Sequence, residues 1–182
     1  MSDALMNRVD TIIAGLIGRT YKNPENFPEA EAFVAEAVRK AFPGIYIVSA
    51  DLPSPFYGSL FADALNERSK SLPSFLEVSI LSHLNASSEE EAVHNIRDIW
   101  PQLYITLQRF SNRNVYWSET EHNFPFGLIG QDFILAEKRE GNQTTEVKLI
   151  SNTDVTKRLF KEYRDVHFQR MIDNPLVHRL NI

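Results

Sequence analysis

Asp132, Glu146 and Lys148 are the residues whose types and spacing come nearest to a reactive set. Glu146 and Lys148 stand two apart in the β-like stretch Thr144–Ile150, so their side chains share one face while Val147 and Leu149 point to the other. Asp132 opens the preceding stretch, Asp132–Arg139, and Glu140-Gly141-Asn142-Gln143 joins the two as a polar β-hairpin turn. On a solvated hairpin the same charges, with Glu137 and Lys138, form cross-strand pairs. A second charged set lies on the last helical stretch. Lys157, Lys161 and Arg164 recur at i, i+4 and i+7, with Arg158, His167 and Arg170 nearby. Contacts to phosphate are mostly charge, so such a face suits a nucleic-acid backbone. The interleaved Glu162 and Asp165 dilute its field and equally suit an ordinary wet face. The histidines form no H-x-x-H or H-E-x-x-H pair. His122 lies in the polar stretch Glu119-Thr120-Glu121-His122.

Asp132 followed by Glu146-x-Lys148 across a hairpin, with a helix before and a helix after, is similar to the core of restriction-endonuclease-like nucleases. The resemblance implies that the two carboxylates hold a divalent metal and that the lysine positions or activates water. Mg²⁺ takes hard oxygen ligands of this kind and supplies a nucleophilic hydroxide. No G-x-S-x-G, P-loop or G-x-G-x-x-G sequence is present, so nucleotide-cradling and α/β-hydrolase chemistry have no support.

Composition bounds the rest. The chain has 182 residues, which predicts one domain, 1–182, long enough to bury a core without staples. An apolar share of 43% with 24% charged residues argues against disorder. With no cysteine, a disulfide scaffold, a thiolate metal site and a cysteine nucleophile are excluded. The same absence fits a reducing compartment. Neither a signal-peptide pattern nor a membrane-spanning apolar run is visible, so the expected location is cytoplasmic. The net charge of −5 is unlike a general nucleic-acid binder. It is also uneven: residues 1–100 carry fourteen acids and eight bases, and residues 101–182 carry ten acids and eleven bases.

These residues must be positioned by the elements the pattern predicts. Leu5, Met6, Val9, Ile12, Ile13, Leu16 and Ile17 have helical spacing, and a second helix runs from Pro28 to Ala41. Together they predict a helical hairpin. Strands are expected at 45–48 and 75–82, with a short helix from Ser59 to Leu65 between them. Ser88 and Glu91 have capping-box spacing at the start of a further helix. Residues 103–110 fit a helix past Pro101 or a strand, and the helix is favoured. Val115-Tyr116-Trp117 opens a β-rich region. The expected fold is α+β: an N-terminal helical hairpin, a small, mostly antiparallel sheet with a C-terminal β-hairpin, and a final amphipathic helix.

Loops 51–58 and 122–130 put Phe56, Tyr57, Phe124 and Phe126 in connections, where aromatic residues often mark interfaces. The missing catalytic motifs and these loops give the leading functional expectation. It is a non-catalytic interaction or structural subunit, without cofactor, docking into a larger protein assembly such as a homo-oligomer or a viral or phage particle. The alternative is a metal-dependent nuclease using Asp132, Glu146, Lys148 and Mg²⁺, the one reading that brings a nucleic-acid partner.

Overall fold

A computed structural model of the chain describes residues 19–182 apart from 23, 50–55, 72–73, 85, 121–124, 142 and 152. The described residues build one mixed sheet of eight strands with helices on both faces. The strands are β1 (Arg19–Tyr21), β2 (Gly44–Ser49), β3 (Glu77–His83), β4 (Arg113–Ser118), β5 (Phe126–Ile129), β6 (Phe133–Glu140), β7 (Gln143–Ile150) and β8 (Val177–Leu180). Their order is β1-β7-β6-β5-β2-β3-β4-β8. The β2–β3 and β3–β4 pairs are parallel and the other pairs antiparallel.

The helices are α1 (Phe27–Lys40), α2 (Ser59–Ser71), α3 (Glu89–Ile99), α4 (Pro101–Leu107) and α5 (Thr153–Glu162). A wider π-helical turn, Tyr163–Phe168, continues α5 into α6 (Gln169–Ile172). The α+β class holds, but the sheet is larger than the expected small one. The predicted helix at 5–17, and with it the helical hairpin, lies outside the described residues. Among the described residues no helix is long and apolar enough to cross a membrane.

Local chemistry sets these elements. Every residue of β2 is buried, as a central strand covered on both faces requires, which is why Ile45-Tyr46-Ile47-Val48 reads as a continuous apolar run. The Ser88 hydroxyl accepts from the Glu91 backbone N–H at 3.2 Å and caps α3. The reciprocal bonds come from Ser87, whose N–H (2.8 Å) and hydroxyl (2.6 Å) both donate to the Glu91 carboxylate. These donors hold the Glu91 carboxyl below its ordinary range. Residues 103–107 are helical, as favoured. Trp100 leaves helical geometry at φ −137°, ψ 58°, and Pro101 starts α4 where a missing N–H costs nothing. The hairpin β6–β7 forms with Gly141 at φ +61°, a turn position that suits a residue without Cβ.

One expectation needs correction, and one strand was not expected. Phe126–Ile129 is a strand, β5, and not part of a loop: it carries the sheet from the β6–β7 hairpin across to β2. Val177–Leu180, past the last helical segment, forms the unexpected strand, β8, whose partner β4 lies more than fifty residues earlier. The stretch from β2 to β4 alternates strand and helix in the order of the elements expected there.

The two sheet faces bury separate cores. One face, with Ile45, Ile47, Val78, Ile80, Val115 and Trp117, packs under residues from α1 to α4. The opposite face, with Tyr46, Val48, Leu81, Phe126 and Leu128, packs under Leu159, Phe160, Tyr163 and Phe168. Gly127 is required by packing on the first face. A Cβ there would lie 2.7 Å from the Tyr57 hydroxyl, on a fully buried ring set edge-on to Phe61. Gly127→Ala is expected to destabilise the fold by about 1–3 kcal/mol through overpacking. A urea-unfolding midpoint equal to that of the parent chain would contradict this packing.

Candidate functional site

The structure separates the residues expected to act together. Asp132 is exposed in the β5–β6 turn. Glu146 lies opposite Lys138, and Lys148 lies opposite Ala136. Asp132 is six positions from Lys138, so it stands roughly 20 Å along the strand from Glu146. Two carboxylates so placed cannot share one Mg²⁺, whose ligands sit at about 2.1 Å. Glu146 and Lys148 do share a face, and Glu146 pairs with Lys22 at 3.5 Å. Glu137 is not on that wet face: it is buried, and its carboxylate accepts from Thr144 at 3.1 Å. Among the described residues no group of three His, Cys, Asp or Glu side chains is placed to hold a metal ion.

The aromatic residues expected at a partner surface are core. Phe56 and Tyr57 are 0% exposed and Phe126 is 4% exposed. Phe56 meets Phe27 edge-on at 5.0 Å, and Phe126 packs on Tyr163 at 4.5 Å. These rings anchor their segments because burying an aromatic side chain is worth more than exposing it in a loop. Phe124 lies outside the described residues.

A site that the sequence did not single out lies where the last helical segment crosses the parallel strands. The register aligns Tyr46, Ser79 and Asn114 in a row across β2, β3 and β4. Glu77, two residues before Ser79, shares its face. The Tyr46 hydroxyl donates to the Glu77 carboxylate at 2.6 Å. The Ser79 hydroxyl donates to the other carboxylate oxygen at 3.1 Å, and the Asn114 amide reaches the same oxygen at 3.4 Å. Arg179 on β8 donates to the Asn114 carbonyl oxygen at 2.8 Å, which fixes the amide's orientation. Above this row lies a half-open cavity of about 400 Å³, lined also by Tyr116, Arg164, Asp165, Phe168, Gln169 and Ile172. Burial, reinforced by the hydrogen bond to Glu77, pushes the Tyr46 phenol far above its ordinary range. Burial also raises Tyr116. The signal available in the sequence was the polar alternation Glu77-x-Ser79 at the head of an apolar strand.

The same helical segment carries a second depression of about 480 Å³, lined by Lys157, Arg158, Lys161, Glu162, Asp165 and Val166. Asp165 belongs to both walls, so the basic groove and the polar cavity are neighbours. Lys157, Arg158 and Lys161 are exposed. Arg164 is engaged with Asp165 at 2.6 Å, a bond that raises the guanidinium's pKa and lowers that of the carboxyl. The π-helical turn brings both His167 and Phe168 to the buried side.

No protein-family model matches the sequence, and no curated protein matches it. Known structures do match the fold. One is NucT from Helicobacter pylori, at a TM-score of 0.55 and 11% identity, covering 86% of this chain and 96% of that one. Another is TrmBL2, an archaeal chromatin protein described as showing a novel mode of DNA binding. It matches at a TM-score of 0.54 and 12% identity over 95% of this chain and 59% of that one. This chain therefore spans less than two thirds of TrmBL2. At such identities the likeness is one of fold.

His167 gives this region a pH signature. Its ring is 5% exposed and lies 6.0 Å from Tyr163. Burial lowers its pKa; Glu162 acts the other way, and Arg170 adds to the lowering. The unfolded chain therefore binds this proton more readily than the folded one, and stability falls as pH drops below about 6.5. Urea midpoints at pH 5 and pH 7.5 are expected to differ less in His167→Gln than in the parent chain. An unchanged difference would remove His167 as the cause.

Proposed function

We propose that this chain binds nucleic acid, with the basic groove of the last helical segment set against the phosphate backbone. The observation that carries the reading is the groove itself: Lys157, Arg158 and Lys161 are exposed on one depression of an otherwise acidic protein and outnumber its two acids, Glu162 and Asp165, the second of which is paired with Arg164. Clustered exposed bases are the electrostatic footprint of phosphate binding, and the local field counts for more than the net charge. The two fold relatives support the reading. TrmBL2 is described as DNA-binding, and NucT has the same fold over nearly its whole length.

The reading is of binding and not of metal-dependent cleavage, because the register holds Asp132 far from Glu146. It also replaces docking into a protein assembly as the preferred function, since Phe56, Tyr57 and Phe126 are not surface residues. A cysteine-free chain acting on nucleic acid fits a cytoplasmic setting.

Three phosphate contacts release about three counterions, so the logarithm of affinity falls with the logarithm of salt with a contribution of roughly −2 to −3 from these residues. The variant Lys157→Ala/Arg158→Ala/Lys161→Ala is expected to bind a DNA oligonucleotide more weakly at low salt and to show a salt slope reduced by that amount. Fluorescence anisotropy across a salt series reads both. Equal affinity and slope in variant and parent would sink the proposal.

A further inference from the structure

We infer that the cavity over Tyr46, Glu77, Ser79 and Asn114 takes an unpaired nucleobase of the strand whose phosphates lie along Lys157, Arg158 and Lys161. The inference rests on the nucleic-acid reading and adds what that reading leaves open, namely that the ligand is single-stranded and is held partly through a base. The first ground is position. The cavity and the basic groove share Asp165 and follow one another along a single helical segment, so a strand lying in the groove leads to the cavity mouth.

The second ground is chemistry. A cavity of about 400 Å³ is in the range that holds small planar ligands. Its walls combine flat rings with a short polar row, the two things a base requires. Tyr116 is half-exposed, lines the cavity and meets the buried Phe168 at 6.1 Å in a T-shaped pair, which makes it the ring on which a base would stack. The Glu77 carboxylate has about four acceptor positions, and Tyr46, Ser79 and Asn114 occupy three of them. The Ser79 hydroxyl, donating to Glu77 and accepting from Asn114 at 3.2 Å, is itself buried. The row therefore offers the remaining acceptor position of Glu77 to a ligand edge that carries an N–H donor, such as the amino edge of cytosine, adenine or guanine. The row is also set before any ligand arrives, because Arg179 fixes the Asn114 amide and Tyr46 fixes the carboxylate.

The test uses the full chain and two single-stranded DNA probes of equal length and charge, one a cytosine strand and the other carrying abasic sites in place of the bases. The expected result is about tenfold tighter binding of the cytosine strand, the scale of one base stacked on an aromatic side chain. Tyr116→Leu, which keeps apolar contact with Phe168, is expected to shrink that advantage while leaving abasic-strand affinity unchanged, and Glu77→Gln is expected to shrink it while its lost negative charge raises affinity for both strands alike. Equal binding of the two probes by the parent chain overturns the base pocket and leaves the phosphate reading standing. If the parent chain binds neither probe at low salt, both readings fall. If Tyr116→Leu and Glu77→Gln fold and keep the full preference, the base is held somewhere other than this cavity.

Discussion

Leu159, Phe160, Tyr163 and Phe168 keep Val48, Leu81, Phe126 and Leu128 out of water, and the arrangement of the site follows from that contact. Each such apolar side chain contributes about 1.5–3 kcal/mol when fully buried, so docking the last helical segment on this sheet face is a major part of what holds it there. The opposite face is covered by side chains from four helices, α1 to α4. One segment cannot cover eight strands. It packs on the apolar rows and leaves a cavity where it crosses the head of the parallel strands, and there the row of Tyr46, Ser79 and Asn114 is polar, with Glu77 beside it.

A half-buried carboxylate among three other polar side chains is costly unless its hydrogen bonds are made. Here they are made within the row, by a phenol, a hydroxyl and an amide. The cavity is thus stable as built, and its polarity is not a sign of strain. The π-helical turn belongs to the same economy of space. Bringing both His167 and Phe168 inward lets one short stretch bury one ring beside Tyr163 and the other against Tyr46, while Arg164 and Gln169 line the cavity.

The likeness to NucT and TrmBL2 describes a scaffold, and scaffolds host unrelated chemistry. What this chain adds to the scaffold is a distribution of charge. Its first hundred residues are acidic, its remainder is close to neutral, and three exposed bases gather in one groove of the last helical segment. A field of that shape orients a polyanion towards one side of the molecule without making the whole surface attractive to it.

The elements governed by local rules were legible in the sequence. The cap at Ser88 and Glu91, the β6–β7 hairpin with its glycine turn, the helix beyond Pro101 and the buried run of β2 all depend on neighbours a few residues away, and all are present. The basic face was legible for the same reason, since helical spacing alone places Lys157 and Lys161 together. Long-range pairing was not legible. Register put Asp132 six positions from Glu146's partner, turned Phe126–Ile129 from a loop into a strand, and buried Phe56 and Tyr57 beneath a neighbouring helix. The polar row exists only because β2, β3 and β4, separated by helices, come into parallel register with β8 beside them. Side-chain periodicity tells which residues share a face of one strand; which strands lie side by side is decided by packing the whole chain at once.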